Sequence, residues 1–179
     1  MVTTDDEECA DRLRLLRNQG MRARFQYEIA GHNYRLTDLQ AAVAIPQLER
    51  LEASTARRRA HAARLSAGLV GTAGIVAPVV AAGCTHVFHQ YTIRVTAAAR
   101  LDRDALAARL HARGVGTGIY YPRVVFDYDC YRDHPGVVAS EVPEAFRAAR
   151  EVLSLPVHPH LSVSDIDRIV DEVRTALEA

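Results

Sequence analysis

The stretch Gly31-His32-Asn33-Tyr34-Arg35-Leu36-Thr37-Asp38-Leu39-Gln40-Ala41-Ala42 joins a polar loop to the start of a long apolar helix. Thr37 and Gln40 have the spacing of a capping box. The threonine hydroxyl accepts a hydrogen bond from the backbone N–H of the glutamine, whose side chain bonds back to the N-cap backbone. Asp38 in the first turn complements the positive end of the helix dipole. We therefore expect a well-defined helix start with a polar loop just before it.

The polar side chains before this helix have two interpretations. Asn33 contributes an amide and Arg35 a forked guanidinium next to the exposed N–H groups of a helix start, and such donors together suit an anion. Alternatively, this is a helix-entry loop whose polar side chains only satisfy backbone groups. The residues of the loop alone leave both interpretations open.

The composition is that of an ordinary globular chain. Its 179 residues are 49% hydrophobic and 25% charged, with no net charge, so no general attraction to nucleic acid or to a membrane is expected. The run Arg57-Arg58-Arg59 is interpreted as a solvated helix face, because nucleic-acid binding needs more positive charge than this. No apolar run approaches the roughly 20 residues that span a bilayer.

The first residues and the cysteines indicate the compartment. The acidic segment at residues 1–8 lacks the basic and apolar regions of a signal peptide. Cys9, Cys84 and Cys130 are widely spaced and odd in number, which fits reduced thiols better than a disulfide framework. We expect a cytoplasmic protein.

One feature of the composition limits the chemistry. All 22 basic residues are arginine, and the chain contains no lysine. No side chain can therefore supply the amine for a Schiff base. Arginine is no substitute, because its guanidinium stays protonated.

The first third of the chain is predicted to be mostly helical. An N-terminal helix begins at acidic residues and ends at Gly20, a candidate for the left-handed cap. Residues 21–34 have no clean period and are predicted to form an ordered loop. The helix after the capping box extends to about residue 69, with a kink or break at Ile45 because Pro46 removes a backbone hydrogen bond. Since the chain opens almost inside an element, we expect an upstream part to be missing.

The remainder of the chain alternates between strands and helices. Strands are predicted at residues 75–80, 85–96, 115–121 and 152–157, the first at a sheet edge because it contains Pro78. Helices are predicted between Asp102 and Gly114, from Pro143 to about Glu151, and after Ser164. The last helix has an apolar stripe that consists of Ile166, Ile169, Val170, Val173 and Leu177. These elements predict an α+β fold with helices packed on one face of a small, mostly antiparallel sheet.

Histidines and cysteines give little support for a metal site. Cys84, His86 and His89 lie close in sequence, and His158 and His160 follow much later. On the predicted strand His86 and His89 point to opposite faces, whereas zinc needs convergent ligands. We expect no metal site.

Two further patterns bear on catalysis and ligand binding. Ser154 lacks the Gly-x-Ser-x-Gly surroundings of a nucleophile elbow, and the glycines match no phosphate-binding fingerprint. Tyr120, Tyr121 and the loop after them hold five of the eleven Phe and Tyr residues. These rings either line a polar organic ligand such as a sugar or anchor the loop to the core.

The chain also carries a series of short motifs. They are Leu13-Arg-Leu-Leu-Arg-Asn-Gln-Gly20, Asn33-Tyr-Arg-Leu-Thr-Asp-Leu-Gln-Ala-Ala42, Gln47-Leu-Glu-Arg-Leu51, His86-Val-Phe-His-Gln-Tyr91, Gly114-Val-Gly-Thr-Gly118, Tyr121-Pro122 and Leu153-Ser-Leu-Pro-Val-His-Pro159. In these motifs and their order, nearly over its whole length, the chain resembles the C-terminal portion of the PLP-dependent nucleotide-sugar aminotransferases of the DegT/StrS type.

The resemblance implies a fold and a domain division. The fold is the C-terminal small domain of a fold-type-I PLP aminotransferase together with the last helices of its large domain. Residues 1–52 are then the C-terminal end of the large PLP-binding domain with an interface helix, and residues 53–179 are the small α+β domain. The Schiff-base lysine of the family lies upstream of the residues that align with this chain, in agreement with the absence of lysine here.

The resemblance also implies site residues. Asn33 reaches across a dimer interface to the phosphate of PLP, and Arg35 supports the same anionic region. Tyr34, Tyr120 and Tyr121 are the expected substrate-binding residues. Tyr120 stands where family members commonly have a histidine, so the contact made by that histidine is changed. No catalytic residue is expected within the chain itself.

The implied activity belongs to a complete enzyme, which transfers an amino group from glutamate to a nucleotide-linked keto-sugar with PLP as cofactor. This chain is expected to be inactive alone, and its expected partner is a second copy or a complementing large-domain chain. The alternative is a non-catalytic remnant that acts as a dimerisation or interaction module. A transcription regulator has little support, because no helix-turn-helix pattern is present. Without the large domain, apolar surface near Leu39, Val43 and Leu48 is expected to be exposed and to promote association.

Overall fold

The computed structural model describes residues 2–178. The chain divides into two compact units, one that ends at Leu51 and one that begins at Glu52. No helix within the described residues is long and apolar enough to cross a membrane.

The first unit opens with helix α1, Glu7–Arg17. Its N-cap is Asp6, whose side chain accepts a hydrogen bond of 3.0 Å from the backbone N–H of Cys9. Beyond the helix both Gln19 (φ +61°) and Gly20 (φ +78°) are left-handed. Gly20 is therefore left-handed as predicted, but the reversal already begins one residue earlier.

A small hairpin follows where the sequence predicts only an irregular loop. Strand β1, Met21–Ala23, pairs with strand β2, Gln26–Tyr27, in antiparallel orientation. Phe25 at the turn has φ +67°. The loop prediction was wrong for these residues because strands this short contain too few positions to establish an alternation.

Two helices occupy the region where one kinked helix was predicted. Helix α2 spans Asp38–Glu49 and continues through Pro46, and helix α3 spans Leu51–Leu69. The predicted break at Ile45 was wrong, because the interruption lies at Arg50. The carbonyl of Ala42, which loses its partner at the proline, belongs to an exposed residue, so water can replace the missing donor.

The second unit is built on a three-stranded antiparallel sheet with the order β3-β4-β5. These strands are Ile75–Val76, Tyr91–Val95 and Val152–Leu155, and β3 lies at the edge as predicted. The strand predicted at residues 85–96 is less than half as long, with five residues, since Phe88 has φ +47°, which an extended strand does not allow. The glycine-rich segment 115–121 is not a strand and contributes only an isolated bridge from Gly118 to Ser154.

The helices of this unit follow their sequence determinants closely. They are α4, Arg103–Ala112; α5, Asp129–Arg132; α6, Pro143–Glu151; and α7, Val163–Glu178. Asp102 caps α4 through a 2.8 Å bond from the N–H of Ala105. The predicted cap of α7 at Ser164 was wrong, because Ser162 forms the reciprocal pair. Its hydroxyl accepts from the N–H of Asp165 at 3.1 Å, and that carboxylate accepts from the N–H of Ser162 at 2.8 Å.

The hydrophobic core lies between one face of this sheet and helices α3, α4 and α7. Tyr91 and Ile93 of β4 stand opposite Leu155 and Leu153 of β5, and all four side chains are buried. The whole predicted stripe of α7 is buried against them. Each such Leu or Ile contributes about 1.5–3 kcal/mol by leaving water. The observed arrangement is therefore α+β, with helices on the core face of an antiparallel sheet.

Candidate functional site

The loop before α2 is pinned along the end of α1. Asn33 forms an isolated antiparallel bridge with Asn18. The N–H of Tyr34 donates to the carbonyl of Arg17 at 2.9 Å. The backbone of the loop is thus satisfied largely by the last residues of α1, which leaves its side chains free for other contacts.

The guanidinium of Arg35 is held by a single neutral side chain. Its Nε donates to Oδ1 of Asn18 at 2.7 Å. Asn18 is fixed in turn, because its Nδ2 donates to the carbonyl of Met21 at 3.0 Å. Within residues 2–178, neither Nη atom of Arg35 donates to a protein acceptor. The structure therefore presents an oriented guanidinium with its outer edge available.

The capping box is present as predicted. The hydroxyl of Thr37 accepts from the N–H of Gln40 at 3.2 Å, and Oε1 of Gln40 accepts from the N–H of Thr37 at 2.9 Å. These two side chains satisfy backbone groups, as the simpler interpretation of the loop requires. That interpretation does not account for Arg35, whose bond is to a side chain and whose Nη groups stay available.

Tyr34 lies between the two predicted donors in sequence. Its ring stacks on His32 with a centroid distance of 4.9 Å and an interplanar angle of 15°. The residue is 72% exposed, and Asn33 and Arg35 are exposed as well. The loop thus presents an amide, a guanidinium and a phenol to its surroundings.

Tyr120 and Tyr121 lie in the second unit. Their rings meet edge to face at 6.0 Å, and the exposed fractions are 50% and 71%. The ring of Tyr120 covers Gly118, where an added Cβ would come within 2.4 Å of Cε2 of the tyrosine. Gly118 is fixed to β5, since the N–H of Ser154 donates to its carbonyl at 2.7 Å.

In the loop after these tyrosines, some rings anchor the loop and others stay exposed. Phe126 packs edge to face on Phe146 of α6 at 6.0 Å and anchors the loop. Arg123 lies over the ring of Tyr128 at 5.7 Å. Phe126 is thus anchored to α6, whereas Tyr120, Tyr121 and Tyr131 are exposed and available to a ligand.

The histidine and cysteine clusters do not assemble. Within residues 2–178 no group of three or more His, Cys, Asp or Glu side chains is placed to hold a metal ion. The argument from opposite strand faces was wrong in its geometry, because His86 and His89 precede β4 and lie in a loop. There Nδ1 of His86 accepts a 2.9 Å bond from the N–H of Phe88.

Sequence reasoning missed two sets of contacts. Asn18 was not predicted as a site residue, although its place just before a left-handed turn is typical of a helix cap. Its bond to Arg35, 17 residues later, gives no local signal in the sequence. The arginine run of α3 is not merely solvated. Arg58 donates to the carbonyls of Phe88 and His89, and Arg59 donates to that of His86 at 3.0 Å.

The sequence matches the DegT/DnrJ/EryC1/StrS aminotransferase family over residues 1–174. It is 40% identical to the dTDP-3-amino-3,4,6-trideoxy-alpha-D-glucose transaminase of Streptomyces venezuelae, over 97% of this chain and 44% of that protein. It is 35% identical to the UDP-N-acetyl-3-dehydro-alpha-D-glucosamine 3-aminotransferase of Acidithiobacillus ferrooxidans, over 99% of this chain and 46% of that protein.

Solved structures give the same result for the fold. The crystal structure of S. venezuelae DesV in complex with a ketimine intermediate superposes with a TM-score of 0.90 at 39% identity. That match covers 99% of this chain and 46% of DesV. The chain thus spans less than half the length of the relatives that it matches.

Proposed function

This chain belongs to the DegT/DnrJ/EryC1/StrS aminotransferase family, and on that premise we propose that it is the C-terminal portion of a PLP-dependent sugar aminotransferase. The complete enzyme transfers the amino group of glutamate to a nucleotide-linked keto-sugar. The observation that carries the proposal is the match over residues 1–174. In this assignment the unit that ends at Leu51 closes the large PLP-binding domain, and the unit from Glu52 onward is the small domain.

The donors of the first unit fit the phosphate of PLP. Asn33 offers a side-chain amide, and Arg35 offers an oriented guanidinium edge without a protein acceptor in the described residues. Both donate to phosphate oxygens, and the arginine does so as a charge-assisted fork. Bound PLP supplies the electron sink of the reaction. Asn33 and Arg35 hold its phosphate in the active site of the neighbouring subunit.

The exposed tyrosines are the proposed substrate contacts. Tyr34, Tyr120 and Tyr121 present aromatic faces and hydroxyls, which suit a sugar or a nucleotide base. Tyr120 replaces the histidine that is common in the family, so a phenol takes the place of an imidazole at this contact. Among these rings, that of Tyr120 packs on Gly118 of the small domain.

The reactive amine must come from outside this chain. None of the 179 residues is a lysine, so no side chain can supply the amine that forms a Schiff base. The chain alone, including a dimer of two copies, is accordingly inactive, and activity requires a complementing large-domain chain that carries the lysine. Cys9, Cys84 and Cys130 are free and exposed, which favours the reducing cytoplasm as the compartment.

Complementation tests this proposal. The chain is mixed with the N-terminal half of the S. venezuelae transaminase, and the conversion of glutamate to 2-oxoglutarate is measured with PLP and a nucleotide-linked keto-sugar. We expect turnover from the mixture and none from either part alone, and the absorbance of PLP should stay that of free cofactor when this chain alone is added. Turnover by the chain alone would contradict the proposal.

A second candidate function is supported by the surface of α2. Leu39, Val43 and Leu48 are exposed, the first by 76%, and exposed apolar surface of this extent on one helix is typical of an interaction surface. A non-catalytic interaction module would associate through these side chains. It would bind equally well with and without PLP, and Arg35→Ala would leave its association unchanged.

A further inference from the structure

Two arginines of the first unit are held in opposite ways. Arg22 is bound by carboxylates, since its Nε donates to Oε1 of Glu28 at 2.6 Å and its Nη2 to Oδ2 of Asp11 at 2.8 Å. These hydrogen bonds, to Asp11 first and then Glu28, raise the pKa of Arg22 above its usual value. Its donors are used, and its charge is balanced.

Arg35 is oriented by a single hydrogen bond and has no balancing charge in the described residues. Its one described partner is the amide oxygen of Asn18 at 2.7 Å. That amide also donates to the carbonyl of Met21 at 3.0 Å. A carbonyl only accepts and an arginine Nε only donates, so the position requires one acceptor and one donor on the same short side chain. Asparagine meets this requirement, whereas aspartate supplies only the acceptor.

The same residue also sets the register of Asn33. Asn18 and Asn33 are paired in an isolated antiparallel bridge, so the backbone of Asn18 aligns one proposed phosphate donor while its side chain orients the other. Donors that are held in place before a ligand arrives lose less conformational entropy when they bind it.

We propose that Asn18 is a positioning residue for the phosphate site: as a neutral acceptor it fixes the guanidinium of Arg35 through Nε and leaves the Nη edge and the full positive charge for the anion. This inference rests on the proposed function, which assigns Arg35 to the phosphate of PLP. An aspartate at position 18 could still accept the Nε bond of Arg35, but it would lose its bond to the carbonyl of Met21 and would compete with the phosphate for the charge.

Side-chain NMR of the full chain tests the proposal. The Nε–H signal of Arg35 is recorded in the wild-type protein, in Asn18→Ala and in Asn18→Asp, and each is titrated with inorganic phosphate against chloride at equal ionic strength. The Nε–H signal of Arg22 is the internal control for folding, because its two carboxylate partners are unchanged in all three proteins.

We expect a distinct Arg35 Nε–H signal in the wild-type chain that moves on addition of phosphate. Asn18→Ala should lose this signal by exchange with water, and its affinity for phosphate should fall about tenfold, the size of one hydrogen bond to a charged group. Asn18→Asp should keep the Nε–H signal and still lose about tenfold in phosphate affinity. If Asn18 served only folding, the aspartate variant would keep or lose the Arg35 Nε–H signal and the phosphate affinity together.

Three results would overturn parts of this account. An unchanged Arg35 signal in a folded Asn18→Ala chain overturns the positioning role, and full phosphate affinity in Asn18→Asp overturns the need for a neutral acceptor. If the Arg22 signal is lost in Asn18→Ala, that variant is unfolded, and the results of Asn18→Asp then test the positioning role. A wild-type chain without a phosphate response rejects the assignment of Arg35 in the proposed function, and the Nε–H signals then decide the positioning role alone.

Discussion

At the scale of single residues, the packing of Tyr120 on Gly118 gives a direct test of the second-unit site. Gly118→Ala places a Cβ 2.4 Å from the tyrosine ring, so the ring must move. Because the clash is with the far end of a half-exposed ring that can turn into solvent, we expect a loss of stability below the about 1–3 kcal/mol of core overpacking and increased solvent exposure of Tyr120 by fluorescence quenching.

Gly116 provides the control for this prediction. A Cβ on Gly116 would meet no atom within 4 Å, and Gly116→Ala should leave both the melting temperature and the quenching of Tyr120 unchanged. Equal effects from the two substitutions would show that glycine flexibility in the segment, and not the ring contact, is what matters.

At the scale of elements, the capping box determines the start of α2. Thr37→Ala removes the acceptor for the N–H of Gln40, and loss of an N-cap typically costs about 1 kcal/mol. We expect the N–H groups of Gln40 and Ala41, which bond to Thr37, to exchange with deuterium about fivefold faster, the rate change that corresponds to this energy. Thr37→Ser keeps the hydroxyl and should restore slow exchange, and fast exchange in both variants would be evidence against the cap.

An ion pair between α3 and α7 makes stability depend on pH. Arg64 donates to both carboxylate oxygens of Asp167, and this hydrogen bonding lowers the pKa of Asp167 below its usual value. A carboxylate whose pKa is lower in the folded chain stabilises the fold above the unfolded pKa of about 3.9, and the effect is lost as the pH falls through the folded pKa.

Asp167→Asn should therefore reduce stability at neutral pH and have a diminishing effect below about pH 4, because the wild-type residue is then protonated. Chemical denaturation of both proteins between pH 2 and pH 7 measures this difference. Asp171→Asn on the same helix is the matched control, since Asp171 has no ion-pair partner in residues 2–178. A difference between wild type and Asp167→Asn that is independent of pH would contradict the ion-pair explanation.

Local determinants explain which elements the sequence predicts well. Helices α2, α4, α6 and α7 begin within two residues of their predicted starts, because caps, an initial proline and an apolar stripe act within one or two turns. The strand before Tyr91 was predicted too long, since alternation alone does not reveal the positive φ of Phe88. At the site, the exposed donors of the loop were predictable, whereas the bond from Arg35 to Asn18 depends on tertiary folding.

At the scale of the whole molecule, the exposed apolar side chains of α2 favour association. Leu39, Val43 and Leu48 are all more than half exposed, and burying them removes apolar surface from water. We expect the chain to associate as its concentration rises, as measured by sedimentation velocity between 1 and 100 µM, roughly the range of moderate protein–protein affinities.

The triple variant Leu39→Glu, Val43→Glu, Leu48→Glu should shift this equilibrium toward monomer, because charged side chains at these positions oppose their burial. The matched control places glutamate at Val79, which is 90% exposed and lies in the other unit. A wild-type chain that is monomeric at the highest concentration would contradict the prediction.

The contact between Tyr120 and Gly118 also has a consequence for how this ligand-binding region can diversify. The two positions share one volume, so a side chain at position 118 must displace the ring at position 120 or be paired with a smaller residue there. At the proposed substrate contact, we therefore expect preference to change most readily by paired substitutions, since a single step at position 118 also moves the ring. A combinatorial library that randomises both codons together should yield folded variants that two separate single-site libraries miss.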